Sequence, residues 1–261
     1  MSPTAYERIA PWITAALLVA LWWAVIVLFN VQHYVMPTPI ETIVALFQYW
    51  RPLATNGLFT LGTTVAGFLI AVVFGMALGI LVGSSRLVYC ALYPIIVAFN
   101  SVPKAALVPI LVVWFGLGTV PAILTAFMLS FFPVVANVAL AFSTIEPELD
   151  DLMRSLGGSR RDMVMKIGIP RSLPYVFASL KIAITLSFVG SVIAEIIGGN
   201  SGIGNVMLVA SSNFNMPLVF AALVVVGVMG IGMYAVFDFF ERRMTSWSVR
   251  APNPAGSVRG A

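Results

Sequence analysis

Charged side chains are too scarce in this chain to cover a water-facing surface: lysine and arginine number 14 and aspartate and glutamate 10 among 261 residues, 9% charged against 60% hydrophobic. With a mean hydropathy of +1.01, that scarcity excludes a soluble globular domain and marks a polytopic membrane protein. Cysteine is almost missing too. A lone Cys90 forbids any intrachain disulfide, and its place in an apolar run reads as packing rather than redox chemistry. The one histidine, His33, has no acidic or cysteine partner at metal-ligand spacing, so it is read as an interface residue. One histidine and one cysteine supply neither a metal cluster nor a nucleophile with its base, which argues against a membrane enzyme. There is no G-x-x-x-x-G-K-S/T phosphate loop, so a bound nucleotide would belong to another chain. Nor is there a basic soluble segment to hold nucleic acid, and the isoelectric point near 9.5 reflects membrane topology.

What is present is apolar sequence in membrane-spanning lengths. Runs near or above the ~20 residues needed to cross a ~30 Å hydrocarbon core occupy 12–30, 58–82, 88–115, 120–142, 174–197 and 217–240. The fold class is therefore all-α, with six transmembrane helices. The third run is too long for one straight crossing and contains Pro103 beside Lys104, so a break or kink is expected there. Counted once, it leaves twelve of the 14 cationic residues on or near one side, with only Arg51 and Lys104 elsewhere. Cytoplasmic loops retain cations, which puts both termini inside. Counted twice, it would set the charged central loop opposite Arg86 and destroy the bias.

The first run is too long for a signal-peptide core and lacks a small-x-small cleavage site, so a retained signal anchor is expected. After it, Ile40, Ile43, Val44 and Phe47 recur at helical spacing, and Thr38 with Glu41 forms a capping box around Pro39. A short outer-face helix follows, either interfacial or packed as a connector. Residues 250–261, rich in Pro, Gly and Ala, are expected to be a disordered tail beyond a transmembrane domain at 1–249.

The densest cluster of charge lies in one internal loop at about 143–173. Ser143 and Thr144 suit a helix cap, Pro147 its first turn, and Glu146, Glu148, Asp150 and Asp151 bring negative charge to the positive end of its dipole. Gly157-Gly158 permits a left-handed stop, Ser159-Arg160-Arg161-Asp162 opens a second helix, and Pro170 ends it before Pro174 starts the next span. Two short helices joined by a glycine elbow can dock a soluble partner or lie as an amphipathic connector in the lipid interface.

Polar groups inside the apolar runs are few. Asn100, Ser101 and Lys104 surround the expected break, Asn137 lies in the fourth run, and Ser187, Ser191 and Glu195 share one face of the fifth at four-residue spacing. These are the candidate translocation-path residues; the serine stripe serves equally well to join helices. Lys104 at an outer mouth would attract anions, or pair with Glu195 or snorkel to the interface.

Asp151, then Gly157, then Ile167-Gly168-Ile169-Pro170 reproduce the spacing of the EAA loop of binding-protein-dependent ABC importer permeases, with Leu152 and Met153 where the family commonly has alanines and Ile169 for leucine. Asn100-Ser101-Val102-Pro103-Lys104, Pro109, Trp114-Phe115-Gly116, Gly118, Glu195 and Gly202-Ile203-Gly204 resemble the nitrate/sulfonate/taurine branch over roughly residues 35 to 248. The resemblance implies a bacterial inner-membrane permease without enzymatic activity, paired with a second copy in a homodimer. It also implies two cytoplasmic ATPase subunits that hold ATP and Mg, and an external binding protein that delivers a small anionic solute. Asp151, Arg154, Gly157, Arg160 and Arg161 are the expected ATPase-docking residues. The alternative, a secondary transporter or channel, would need more intramembrane ionisable residues than Lys104 and Glu195.

Overall fold

A computed structural model describes residues 5–143, Ser155, Gly157 and 169–245. Every regular element among them is helical. Helix α1 (Ala5–Leu28) is followed by α2 (Pro39–Gln48), α3 (Trp50–Ser84) and α4 (Arg86–Ser101). A 3₁₀ turn (Lys104–Leu107) leads into α5 (Val108–Phe115), then come α6 (Thr119–Ser143), α7 (Ile169–Gly198), α8 (Ile203–Ser212) and α9 (Met216–Met244).

Five helices are long and apolar enough to cross a bilayer, and a sixth is obtained if the pair Arg86–Ser101 and Lys104–Phe115, bent by 73°, is one broken span. The bend falls where Pro103 was expected to break the run. Val102 is extended, and the Pro103 carbonyl accepts the Ala106 N–H at 3.0 Å, so the chain leaves α4 and restarts as a tighter turn. Two expectations shift. Helix α7 begins at Ile169, which places Pro170 in its first turn, where a proline has no intrahelical bond to lose, instead of at the end of a preceding helix. Cys90 is exposed on α4, a helix with no buried residue among the described residues, so it is not a core packing residue there.

The chain divides into two compact units: Met1–Thr63 with Val108–Ala122 and Ser191–Met229, and Thr64–Leu107 with Ile123–Gly190 and Gly230–Ala261. The first has a core of Ala45, Leu53, Ile203, Ala221 and Ala222 and a second cluster of Val108, Ala122 and Ala194. Trp22 of α1 stacks on Phe220 at 5.5 Å. Its short helix α2 carries the expected capping box: the Thr38 N–H donates to Glu41 Oε2 at 2.8 Å and the Glu41 N–H to Thr38 Oγ1 at 3.3 Å. His33, which has no partner at metal-ligand spacing, sits 2.9 Å from Glu41 Oε1, because the turn between α1 and α2 folds back over eight residues. The Thr38 N–H holds the Glu41 carboxyl below the usual carboxylate range, with burial opposing it and the His33 side chain adding to it.

The second unit packs by close backbone approach. Gly67, Ala71, Gly75 and Gly79 form one face of α3 at four-residue spacing. A Cβ on Gly75 would lie 2.8 Å from Val134 Cβ, and one on Gly79 2.7 Å from Val138 Cβ. In lipid there is no hydrophobic drive between helices, so small residues that allow tight contact supply the attraction instead. Gly190 of α7 meets the same helix α6, with its Cβ position 2.9 Å from the Thr125 carbonyl. Phe68, Val134, Val138, Ala183 and Ile184 fill the space between.

Candidate functional site

Glu195, near the end of α7, is only 1% exposed. A carboxylate so shut off from water is costly unless it is hydrogen-bonded, so its partners decide what it does. Its Oε2 accepts the Thr60 hydroxyl at 2.8 Å and the Gly204 N–H at 3.1 Å. Thr60 Oγ1 in turn accepts the Ile203 N–H at 2.9 Å, and Asn56 Oδ1 accepts the Gly202 N–H at 2.8 Å. Three successive N–H groups at the start of α8, which a helix leaves without internal partners, thus terminate on α3 and on Glu195. The carboxyl stands where the α8 dipole is positive. Gly202 has φ +99° and a Cβ there would overlap the Glu195 carboxyl; a Cβ on Gly204 would lie 2.6 Å from the Val192 carbonyl. The glycines exist so that backbone can close on the acid.

At the break after α4 the cation is used locally. Lys104 Nζ donates to both the backbone carbonyl and the Oδ1 of Asn100, placing a positive charge on the negative end of α4. Ser101 donates to the Val97 carbonyl at 3.0 Å. Asn100 and Lys104 therefore come together, and one of the three ammonium donors is left for anything else.

Ser187 and Ser191 are fully buried, and Ser187 donates to the Thr64 carbonyl at 2.8 Å. Ser187 thus bridges α7 and α3, whereas the Ser191 hydroxyl has no hydrogen-bond partner among the described residues. Asn137 gives its amide to the Pro133 carbonyl at 2.9 Å. One cluster escaped the sequence reading: Lys181 pairs with Glu241 and, at 3.5 Å, with Asp238, while Arg242 Nε meets Asp238 at 2.7 Å. The signal was present as two acids four residues or fewer from Arg242 at the end of the last run and one cation near the start of the fifth, on the same predicted side.

Of the expected docking residues, Asp151, Arg154, Arg160 and Arg161 lie outside the described residues. Gly157 is described: it is exposed, has φ +78° and would meet nothing within 4 Å if it carried a Cβ. Its conformation, not crowding, calls for glycine. Among the described residues no group of three or more His, Cys, Asp or Glu could hold a metal ion.

Residues 71–246 match the family of binding-protein-dependent transport system inner membrane components. The chain belongs to that family. It is 34% identical to the nitrate import permease protein NrtB of Leptolyngbya laminosa, over 75% of this chain and 72% of that one. It is 26% identical to the formylaminopyrimidine transport permease protein ThiX of Halalkalibacterium halodurans, over 93% and 97%. A chain of the inward-facing MetNI methionine ABC transporter superposes with a TM-score of 0.66 at 20% identity, covering 76% of this chain and 98% of that one, which gives the ABC importer permease fold. The protein is thus a multi-pass membrane permease subunit of an ABC importer, of the branch that the Asn100–Lys104 segment resembles.

Proposed function

We propose that two copies of this permease form the translocation path of an ATP-driven importer, each gripping a cytoplasmic ATPase subunit through the loop at 143–173. The termini face the cytoplasm of a bacterial inner membrane, and an extracytoplasmic binding protein delivers a small anionic solute. The chain has no phosphate loop, so ATP and Mg are held by the ATPase, and this subunit contributes motion without chemistry. The single observation that carries the reading is that the family match at 71–246 runs through the only long ion-rich segment in an otherwise apolar chain.

Closure of the ATPase pair moves the loop as a lever and swings the helices between inward-open and outward-open states. Asp151, Arg154, Gly157, Arg160 and Arg161 form or flank the contact. Asn100, Ser101, Lys104 and Asn137 border the path, and the buried Ser187, Ser191 and Glu195 hold the helices that frame it. The nitrate carried by NrtB supports an anionic solute. In reconstituted vesicles, Gly157→Val is expected to abolish substrate-stimulated ATP hydrolysis while the complex still co-purifies; unchanged stimulation would count against the lever.

A further inference from the structure

Between the end of α3, the start of α4 and the end half of α6, wholly inside the second unit, lies a cavity of about 530 Å³. It is more than ten times the ~30 Å³ share of a water molecule and falls among the ~300–1,000 Å³ pockets that take small organic ligands. Its wall includes Ser85, Arg86, Tyr89, Tyr93, Asn137 and Leu140. Tyr89 and Tyr93, one turn apart on α4, stack at 4.7 Å with 13° between their planes. Arg86 pairs with no carboxylate among the described residues. Ser85 makes no side-chain cap on α4, and with Arg86 it sets the positive end of that helix's dipole at the cavity wall.

These donors share one character. A guanidinium, two phenolic hydroxyls, a residual amide hydrogen of Asn137 and a helix dipole all favour negative charge, while the tyrosine rings and Leu140 offer apolar area. The geometry points to a binding site for a small organic oxyanion, a sulfonate or carboxylate whose head meets Arg86 and whose apolar part rests on the tyrosines. A bare inorganic ion would leave most of the volume empty. The inference rests on the importer reading and its orientation, which put this cavity at the cytoplasmic end of the path. The same head chemistry is presented by a free solute and by the headgroup of an anionic lipid of the inner leaflet.

The test is equilibrium binding of 1-butanesulfonate and its uncharged counterpart 1-butanesulfonamide to the full complex with its ATPase, without ATP, in nanodiscs of phosphatidylcholine. The sulfonate is expected to bind at least ten times more tightly than the sulfonamide. Arg86→Gln should weaken it at least tenfold, Arg86→Lys much less, and Tyr93→Phe two- to fivefold, each in complexes that elute intact. Nanodiscs of phosphatidylglycerol identify the source. If the sulfonate is displaced there and the lipid stays on the wild type but not on R86Q in native mass spectra, the headgroup is the ligand; if binding is unaffected, the free solute is. No sulfonate binding by the wild type, equal binding by intact R86Q, or equal binding of the sulfonamide would overturn the site. Because ATP takes no part, coupled uptake without binding removes only the site, and binding without coupled uptake removes only the importer reading.

Discussion

Lys181 and Glu195 lie fourteen positions apart on the same helix and are neutralised in opposite ways. Lys181, with 16% of its side chain exposed, is met by the formal charges of Glu241 and Asp238. Glu195, at 1% exposure, is met by no lysine or arginine in its hydrogen-bond set; a hydroxyl and a peptide N–H serve instead. The difference teaches what each end of the fifth span needs. An ion pair of long flexible side chains tolerates adjustment, whereas a carboxyl fixed by backbone sets the position of a whole short helix, α8. Rigid satisfaction by peptide groups also demands glycine at the contact, and the first unit supplies Gly202 and Gly204.

The largest effect is expected at that glycine contact. Gly202→Val combines a left-handed φ of +99° with a Cβ inside the Glu195 carboxyl, so a loss of about 4–5 kcal/mol is expected, read as failure to recover folded protein in detergent. Glu195→Ala should follow, at about 3 kcal/mol, since the Gly204 N–H and Thr60 hydroxyl lose their acceptor. Glu195→Gln keeps an acceptor oxygen and should cost about 1 kcal/mol in thermal unfolding. If Gln proves as damaging as Ala, the charge on the α8 dipole outweighs the hydrogen bonds.

Lys181→Met sharpens the other half of the contrast. It strands Glu241 only partly out of water and leaves Asp238 to Arg242, so about 1–2 kcal/mol is expected, and Glu241→Leu in the same chain should recover part of it in a double-mutant cycle. A fully additive cycle would mean the pair contributes nothing. The smallest effect is at α2. Glu41 has a lowered carboxyl, so its contribution is complete above the ordinary carboxylate pKa of ~4.3 and fades as pH falls through the lower folded value. A capping box of this kind is worth about 1 kcal/mol, and Glu41→Ala should remove both the stability and its acid dependence.

Features that act over one or two turns, or that the bilayer enforces, were legible in the residues themselves. The capping box of Thr38 and Glu41, the break at Pro103 and the presence of the long apolar helices follow from local chemistry and from hydrocarbon thickness, whereas the start of α3 at Trp50 does not. Helix α8 did not, because ten residues are too few to cross a membrane and its start is fixed by Thr60, 143 positions from Ile203. Lys181 and Asp238 are likewise 57 positions apart, and no periodicity announces a pairing across that distance. The serine stripe was visible as a face, but which neighbour it meets depends on the tight glycine contacts of α3 and α7 with α6. The proposed docking loop was visible in the sequence only as spacing, Asp151 to Gly157 to Pro170, and of its glycine elbow the described residues include Gly157 with φ +78°.

The claim beneath all of this is that force enters the helices from a separate ATPase through that loop. The most direct measurement is solute uptake into proteoliposomes holding the permease alone or with its ATPase, each with ATP and the binding protein present. Uptake only when the ATPase is present, and only with ATP, is the predicted result; uptake by the permease alone, or driven by an ion gradient, would contradict the account.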